Sequence, residues 1–129
     1  MSFEGAELRS VLRIDELPET RHAHEFVGAD HGDVPFSLIL VTAPPGAGPA
    51  LHRHPYPEVF IVESGRATFF LDEVAMEVEA GHLVVGPSNV SHGFTNIGGD
   101  DLRLIAVHGA ARFQTEWLTG VDPQWVVEP

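Results

Sequence analysis

The chain has 129 residues with 43% hydrophobic and 20% charged side chains, the balance of one folded domain of ordinary size. Nineteen acidic residues against seven arginines and no lysine give a net charge of −12, which disfavours nucleic acid and anionic membranes as partners and removes Schiff-base chemistry. With no cysteine, disulfides, thiolate metal sites and cysteine nucleophiles are excluded as well.

In chain order, Met1 to Arg13 carries Glu4, Glu7 and Arg9 and contains no apolar run of signal-peptide length, and no stretch approaches the ~20 apolar residues of a membrane span. A cytoplasmic location is expected. Short apolar runs split by Gly, Pro, Asp and Asn predict strands at Arg9–Ile14, His22–Val27, Phe36–Thr42, Glu58–Glu63, Ala67–Leu71, Ala75–Glu79, His82–Val85, His92–Thr95 and Leu102–His108. Strands at this density predict an all-β sandwich or barrel, with a hairpin turn at Asp72-Glu73. The one predicted helix is Ala111–Leu118, two turns with Gly120 as the stop, read as a short C-terminal cap. The apolar pattern continues on both sides of the Pro44–Pro49 loop, so residues 1–129 are read as a single domain.

Eight histidines are the first sign of chemistry. His52 and His54 are two apart and project to one face of an extended chain, and Glu58 shares their parity, loosened by Pro55 and Pro57. Two imidazoles and a carboxylate converging on one point suit a borderline divalent metal. A second segment, Gly81 to Asn96, adds His92 at the start of a strand.

These two segments resemble the two motifs of the cupin superfamily. The first falls on Gly46, His52, His54, Glu58 and Gly65 (residues 46–65), the second on Gly81, Pro87, His92 and Asn96 (residues 81–96). The Gly usual two residues after that Pro is Asn89 here, which also tolerates the left-handed conformation. The resemblance implies a jelly-roll barrel, the cupin double-stranded β-helix, with one divalent metal (Fe, Mn, Ni, Cu, Co or Zn) held inside by His52, His54, Glu58 and His92. Four protein ligands leave two open positions on an octahedral ion.

Parity from Glu58 and His92 places Phe60, Val62, Phe94 and Asn96 inward, with Asn96 expected to bond a turn backbone. Phe36, Leu38, Leu40, Phe70, Leu104, Ala106 and His108 are further lining candidates, and His108 is the candidate base. Arg66 is a weaker candidate for holding a substrate carboxylate, and His22-x-His24 with His31 a weaker second metal site. The leading functional expectation is a metal-dependent, dioxygenase-type oxidoreductase acting on a small organic molecule. The alternatives are a Lewis-acid metal isomerase or decarboxylase, and a non-catalytic metal-dependent binding module. A homodimer is expected from the resemblance and from the general frequency of such assemblies.

Overall fold

A computed structural model describes residues 10–118 and 125–127. Among the described residues thirteen strands run in chain order. They are β1 (Glu19–Thr20), β2 (Ala23–Phe26), β3 (Ser37–Ala43), β4 (Ala47–Pro49), β5 (His52–Arg53), β6 (Glu58–Ser64) and β7 (Arg66–Leu71). Then follow β8 (Val74–Glu79), β9 (Leu83–Gly86), β10 (His92–Asn96), β11 (Leu102–His108), β12 (Glu116–Trp117) and β13 (Trp125–Val127).

The strands form antiparallel sheets. One has six strands in the order β1-β2-β3-β11-β6-β9, the second five in the order β12-β5-β10-β7-β8, and β13 pairs with β4 separately. The all-β expectation therefore stands, but two parts of it are corrected. The expected closed barrel is not formed: among the described residues the ladders end at β1 and β9 in one sheet and at β12 and β8 in the other. Pro44, Pro45, Pro49, Pro55 and Pro57, which lack the N–H a ladder needs, fall in the stretch that holds β4 and β5 and keep both short.

The expected helical cap over Ala111–Leu118 is also absent; that stretch is bends followed by β12. Its backbone is committed elsewhere. Gln114 C=O accepts from His54 Nδ1, Gln114 N–H donates to the Tyr56 hydroxyl, and Glu116 and Trp117 pair with β5. A helix would have needed those same groups for its own ladder. The predicted first strand, Arg9–Ile14, is likewise not a strand from Ser10 onward; a 3-10 turn begins at Ile14, and Arg9 lies outside the described residues.

Alternation along each strand sorts the core. On the six-stranded sheet the inner side chains form rows across paired strands: Val41–Leu104–Val62, then Ile39–Ala106–Phe60–Val84, then Ser37–His108–Glu58–Gly86. The first two rows are apolar and pack against Phe69 and Phe94 of the other sheet, whose rings stack at 4.9 Å. The third row is polar and buried, and it marks the end of the molecule where the site lies.

The hairpin turn at Asp72-Glu73 is present, with Leu71 opposite Val74 and Asp72 at φ 55. Asn89 sits at φ 63, where its side chain is tolerated in place of glycine. Asn96 donates to Ala43 C=O and Asp100 C=O and accepts from Gly98 N–H, so its role is to hold turns.

Candidate metal centre

Both sheets contribute donors. Glu58 opens β6 of the six-stranded sheet; His52 on β5 lies directly opposite His92 on β10 in the five-stranded sheet, and His54 follows β5. One donor atom from each of His52, His54, Glu58 and His92 lies within 4.8 Å of all the others, and all four residues are buried.

The hydrogen bonds around the cluster fix the imidazoles. His52 Nδ1 lies 2.7 Å from Ala50 C=O and His54 Nδ1 2.8 Å from Gln114 C=O. A carbonyl only accepts, so Nδ1 carries the proton in both rings and Nε2 presents its lone pair. His54 Nε2 and His92 Nε2 each stand 3.0 Å from Glu58 Oε1, and His108 Nε2 stands 2.9 Å from Glu58 Oε2. None of these ring nitrogens is aligned to make a hydrogen bond, and Glu58 Oε1 has no hydrogen-bond partner. Buried, unsatisfied donor atoms converging on one point are costly for a bare protein and are what a cation satisfies. Three imidazoles with one carboxylate make the donor set of a single divalent transition-metal site.

Protonation follows from the surroundings. Burial, then the neighbouring His92, lowers His52 from 6.5 to about 4, so its ring is neutral near neutral pH. Burial pushes the Glu58 carboxyl upward, but His108, His54 and His92 together outweigh it and hold the group well below the usual carboxylate range. Burial raises the Tyr56 phenol to about 12. Tyr56 therefore keeps its proton. Its hydroxyl accepts from Gln114 N–H and lies 2.8 Å from His108 Nδ1, so it donates there and leaves the His108 proton on Nε2, toward Glu58.

The donors face a cavity of about 480 Å³. Phe60 and Phe94 line it, as do Ile39, Val41, Ala106 and His108, while Val62 is buried in the row beneath. Four of the expected lining residues lie elsewhere. Leu38 has the outward parity of β3, and Phe70 the outward parity of β7, 37% exposed on the far side of the five-stranded sheet. Phe36 is also exposed, and Leu40 shares the outward parity of Leu38. Arg66 pairs with Glu77 on the surface at 3.4 Å, away from the cavity. His24 occupies an outward position on β2, His31 stacks on Phe26 at 4.6 Å, and among the described residues the one group of three or more metal-binding side chains is the cluster above.

Other cavity residues carried no motif signal. Thr20, Arg21 and Glu25 come from β1, the turn after it and β2. Phe113, Thr115 and Trp117 come from the C-terminal stretch, where Trp117 packs on the His52 ring at 4.8 Å and Phe113 meets His108 edge-on at 4.8 Å. For Glu25 a signal existed, since it shares the inward parity of Ala23 on a four-residue strand.

The model of the Cupin domain matches residues 39–108, more than half of the chain and all of the donors. This chain belongs to the cupin-domain family. Among sequence relatives of this cupin, Auxin-binding protein 1 of Arabidopsis thaliana is 27% identical over 113 residues, spanning 75% of this chain and 57% of its own length. The solved structures most similar in shape include oxalate decarboxylase of Bacillus subtilis. One, from a study of its Mn(II) centres, matches with TM-score 0.69 at 24% identity over 80% of this cupin and 30% of that chain. Another, determined at pH 4.6, matches with TM-score 0.74 at 19% identity over 88% and 39%. The cupin thus spans little more than half of the first relative and under half of the decarboxylase chains, and at these identities the structural likeness establishes the fold. The expectation of a dioxygenase-type oxidoreductase is corrected by the same comparison, because these structural relatives are decarboxylases. What holds is the coarser statement: a metal-binding cupin whose donor set and small-molecule cavity are suited to enzymatic chemistry. No helix of the described residues is long and apolar enough to cross a membrane.

Proposed function

We propose that this cupin is a metal-dependent decarboxylase, a lyase acting on a small organic acid in the cavity. The observation that carries this reading is the composition of the donor set. One carboxylate and three neutral imidazoles around a divalent ion leave a local charge of about +1, so the site attracts an organic anion although the chain as a whole carries −12. The likeness to a Mn-containing oxalate decarboxylase supports the same class.

When bound at His52, His54, Glu58 and His92, the metal supplies Lewis-acid polarisation of substrate oxygens. The chain's own residues supply the rest. Phe60, Phe94 and Trp117 exclude water and disfavour the localised charge of the substrate carboxylate, which departs as neutral CO₂ while its electron pair stays on the substrate carbon. In decarboxylation the bond from the substrate carbon to its carboxylate breaks, the electron pair stays on that carbon, and a proton must replace the lost group. Glu25 is the cavity carboxyl outside the donor cluster, and burial shifts its pKa upward, toward the protonated form. Its place in the cavity wall assigns it as the proton donor.

The test is CO₂ release from a panel of small oxo and dicarboxylic acids by protein loaded in turn with Mn, Co, Fe and Zn. The expected result is metal-dependent CO₂ formation that Glu25→Gln slows while leaving metal content intact. Saturable binding of these acids without turnover under every metal would replace this reading with the second one, a metal-dependent binding module. That alternative is favoured by the relationship to a protein named for binding auxin.

A further inference from the structure

With no lysine in the chain, permanent positive charge in the cavity wall comes from arginine, and among the described residues Arg21 is the arginine there. Arg66, the sequence-based candidate for holding a substrate carboxylate, pairs with Glu77 on the surface instead. Arg21 sits in the two-residue turn of the β1–β2 hairpin, between the paired Thr20 and Ala23. That turn is pinned in place. The Thr20 hydroxyl donates to Ala23 C=O at 3.4 Å, and His22 C=O accepts from Thr42 N–H of β3 at 2.9 Å.

The register puts this turn far from the metal donors. Ala23 belongs to the Val41–Leu104–Val62 row, Glu25 to the next row and Glu58 to the one after that. Two rows amount to about 13 Å along the strands. β2 and β6 are also three strand spacings apart, about 14 Å across the sheet. A single carboxylate is therefore not shared between the ion and Arg21. The wall between the two ends is apolar at Ile39, Val41 and Phe94, and Glu25, the proton donor, stands in the middle row. The volume of about 480 Å³ lies in the range of cavities that bury drug-sized ligands.

We propose that Arg21 is a specificity-determining residue that binds the far end of an elongated, doubly anionic substrate. One carboxylate of such a molecule lies at the metal, an apolar middle lies against Ile39, Val41 and Phe94, and a second anionic group lies on the guanidinium. This assignment deepens the decarboxylase reading and rests on its claim that the cavity takes an organic acid. Charge supports it. A body of −12 repels a dianion over most of its surface, so the ligand needs a positive group at each end. The metal centre supplies one, and the planar fork of Arg21, which matches a carboxylate in bidentate fashion, supplies the other. The shortest dicarboxylic acids, with both carboxylates at the ion, gain nothing from Arg21. The class selected is the longer diacids.

Titration calorimetry on Co²⁺-loaded protein tests this with two series of straight-chain acids, α,ω-diacids and monoacids. Each series runs from two to about ten carbons, the longest spanning roughly 10 Å when extended. Diacids are expected to match monoacids at short length and to bind about 10-fold tighter or more at the long end, where a second charged hydrogen-bonding group is engaged. Arg21→Gln, at an exposed turn position, is expected to abolish that excess while leaving monoacid affinity and metal content unchanged. Arg66→Gln removes the same charge from the surface and is expected to keep the excess. No excess at any length, an excess that survives in Arg21→Gln, or one lost in Arg66→Gln would each overturn the proposal. Equal loss of monoacid and diacid binding in Arg21→Gln would overturn it as well, since it would mark a structural role. CO₂ release is read separately: a long diacid that binds through Arg21 without losing CO₂ supports this assignment and counts against the decarboxylase.

Discussion

His108 Nε2 stands 2.9 Å from Glu58 Oε2, the oxygen other than the one that meets His54 and His92. The two residues are register partners on adjacent strands, β11 and β6, so the contact is built into the sheet. One carboxylate oxygen thereby faces the His108 ring across the sheet and the other faces His54 and His92. His108→Phe is expected to lower metal affinity by roughly 10- to 100-fold without changing the one-per-chain stoichiometry, the usual cost of losing a group that orients a ligand. Titration calorimetry with Co²⁺ measures it. Unchanged affinity would show that Glu58 needs no such support.

Removing donors has a different signature. His52→Ala/His54→Ala leaves one imidazole and one carboxylate, too few to hold a transition metal against solvent. Bound metal measured by plasma mass spectrometry on untagged protein is expected to fall from about one per chain to near zero, whereas the His108 variant fills at saturating metal. Stoichiometric metal in the double variant would place the ion elsewhere.

Acid is expected to destabilise the metal-free protein, and the sign follows from His52. Its pKa falls from 6.5 to about 4 on folding, so the unfolded chain binds the extra proton first. Stability is full above pH 6.5 and is lost as the pH drops toward about 4, by roughly 3 kcal/mol at most for this group. Glu58, also lowered, adds a further loss below its ordinary value of 4.5. Urea midpoints of metal-free protein from pH 7.5 to 4.5 check this. A flat profile would contradict it.

Gly86 closes the packing behind His92. A Cβ there would stand 3.3 Å from His92 Nδ1 and 3.6 Å from its Cε1, so the ring must shift by a few tenths of an ångström. Gly86→Ala is expected to weaken metal binding about 10-fold while costing on the order of 1 kcal/mol or less in stability. Paired calorimetric and urea measurements separate the two effects, and an equal loss in both would point to general unfolding.

The donors were legible because each lies at a fixed offset inside a short segment, and Phe60 and Phe94 followed from parity with Glu58 and His92. The lining candidates Leu38 and Phe70 had no such anchor, since two faces of a strand are told apart by which one is polar. On β3 the outward Leu38 and Leu40 are as apolar as the inward Ile39 and Val41. The helix predicted at Ala111–Leu118 failed for another reason. Its apolar spacing fits a helix, but partners 60 residues away claim its backbone, as His54 claims Gln114, and no local pattern records them. Arg21 reached the cavity wall from the turn after β1, and Glu25 from a strand too short to carry a motif.

The hold of Gln114 on His54 also has a consequence for the order in which the protein is made. His52, His54 and Glu58 leave the ribosome early, His92 later, and the carbonyl that sets the His54 tautomer later still, with Trp117 closing over His52 last. An ion met by the emerging chain finds two loosely held imidazoles and a carboxylate, a weak and unselective trap. The finished site exists after residue 117 has emerged, so the choice of metal belongs to a chain that has passed that point and to whichever ion its surroundings offer at that moment.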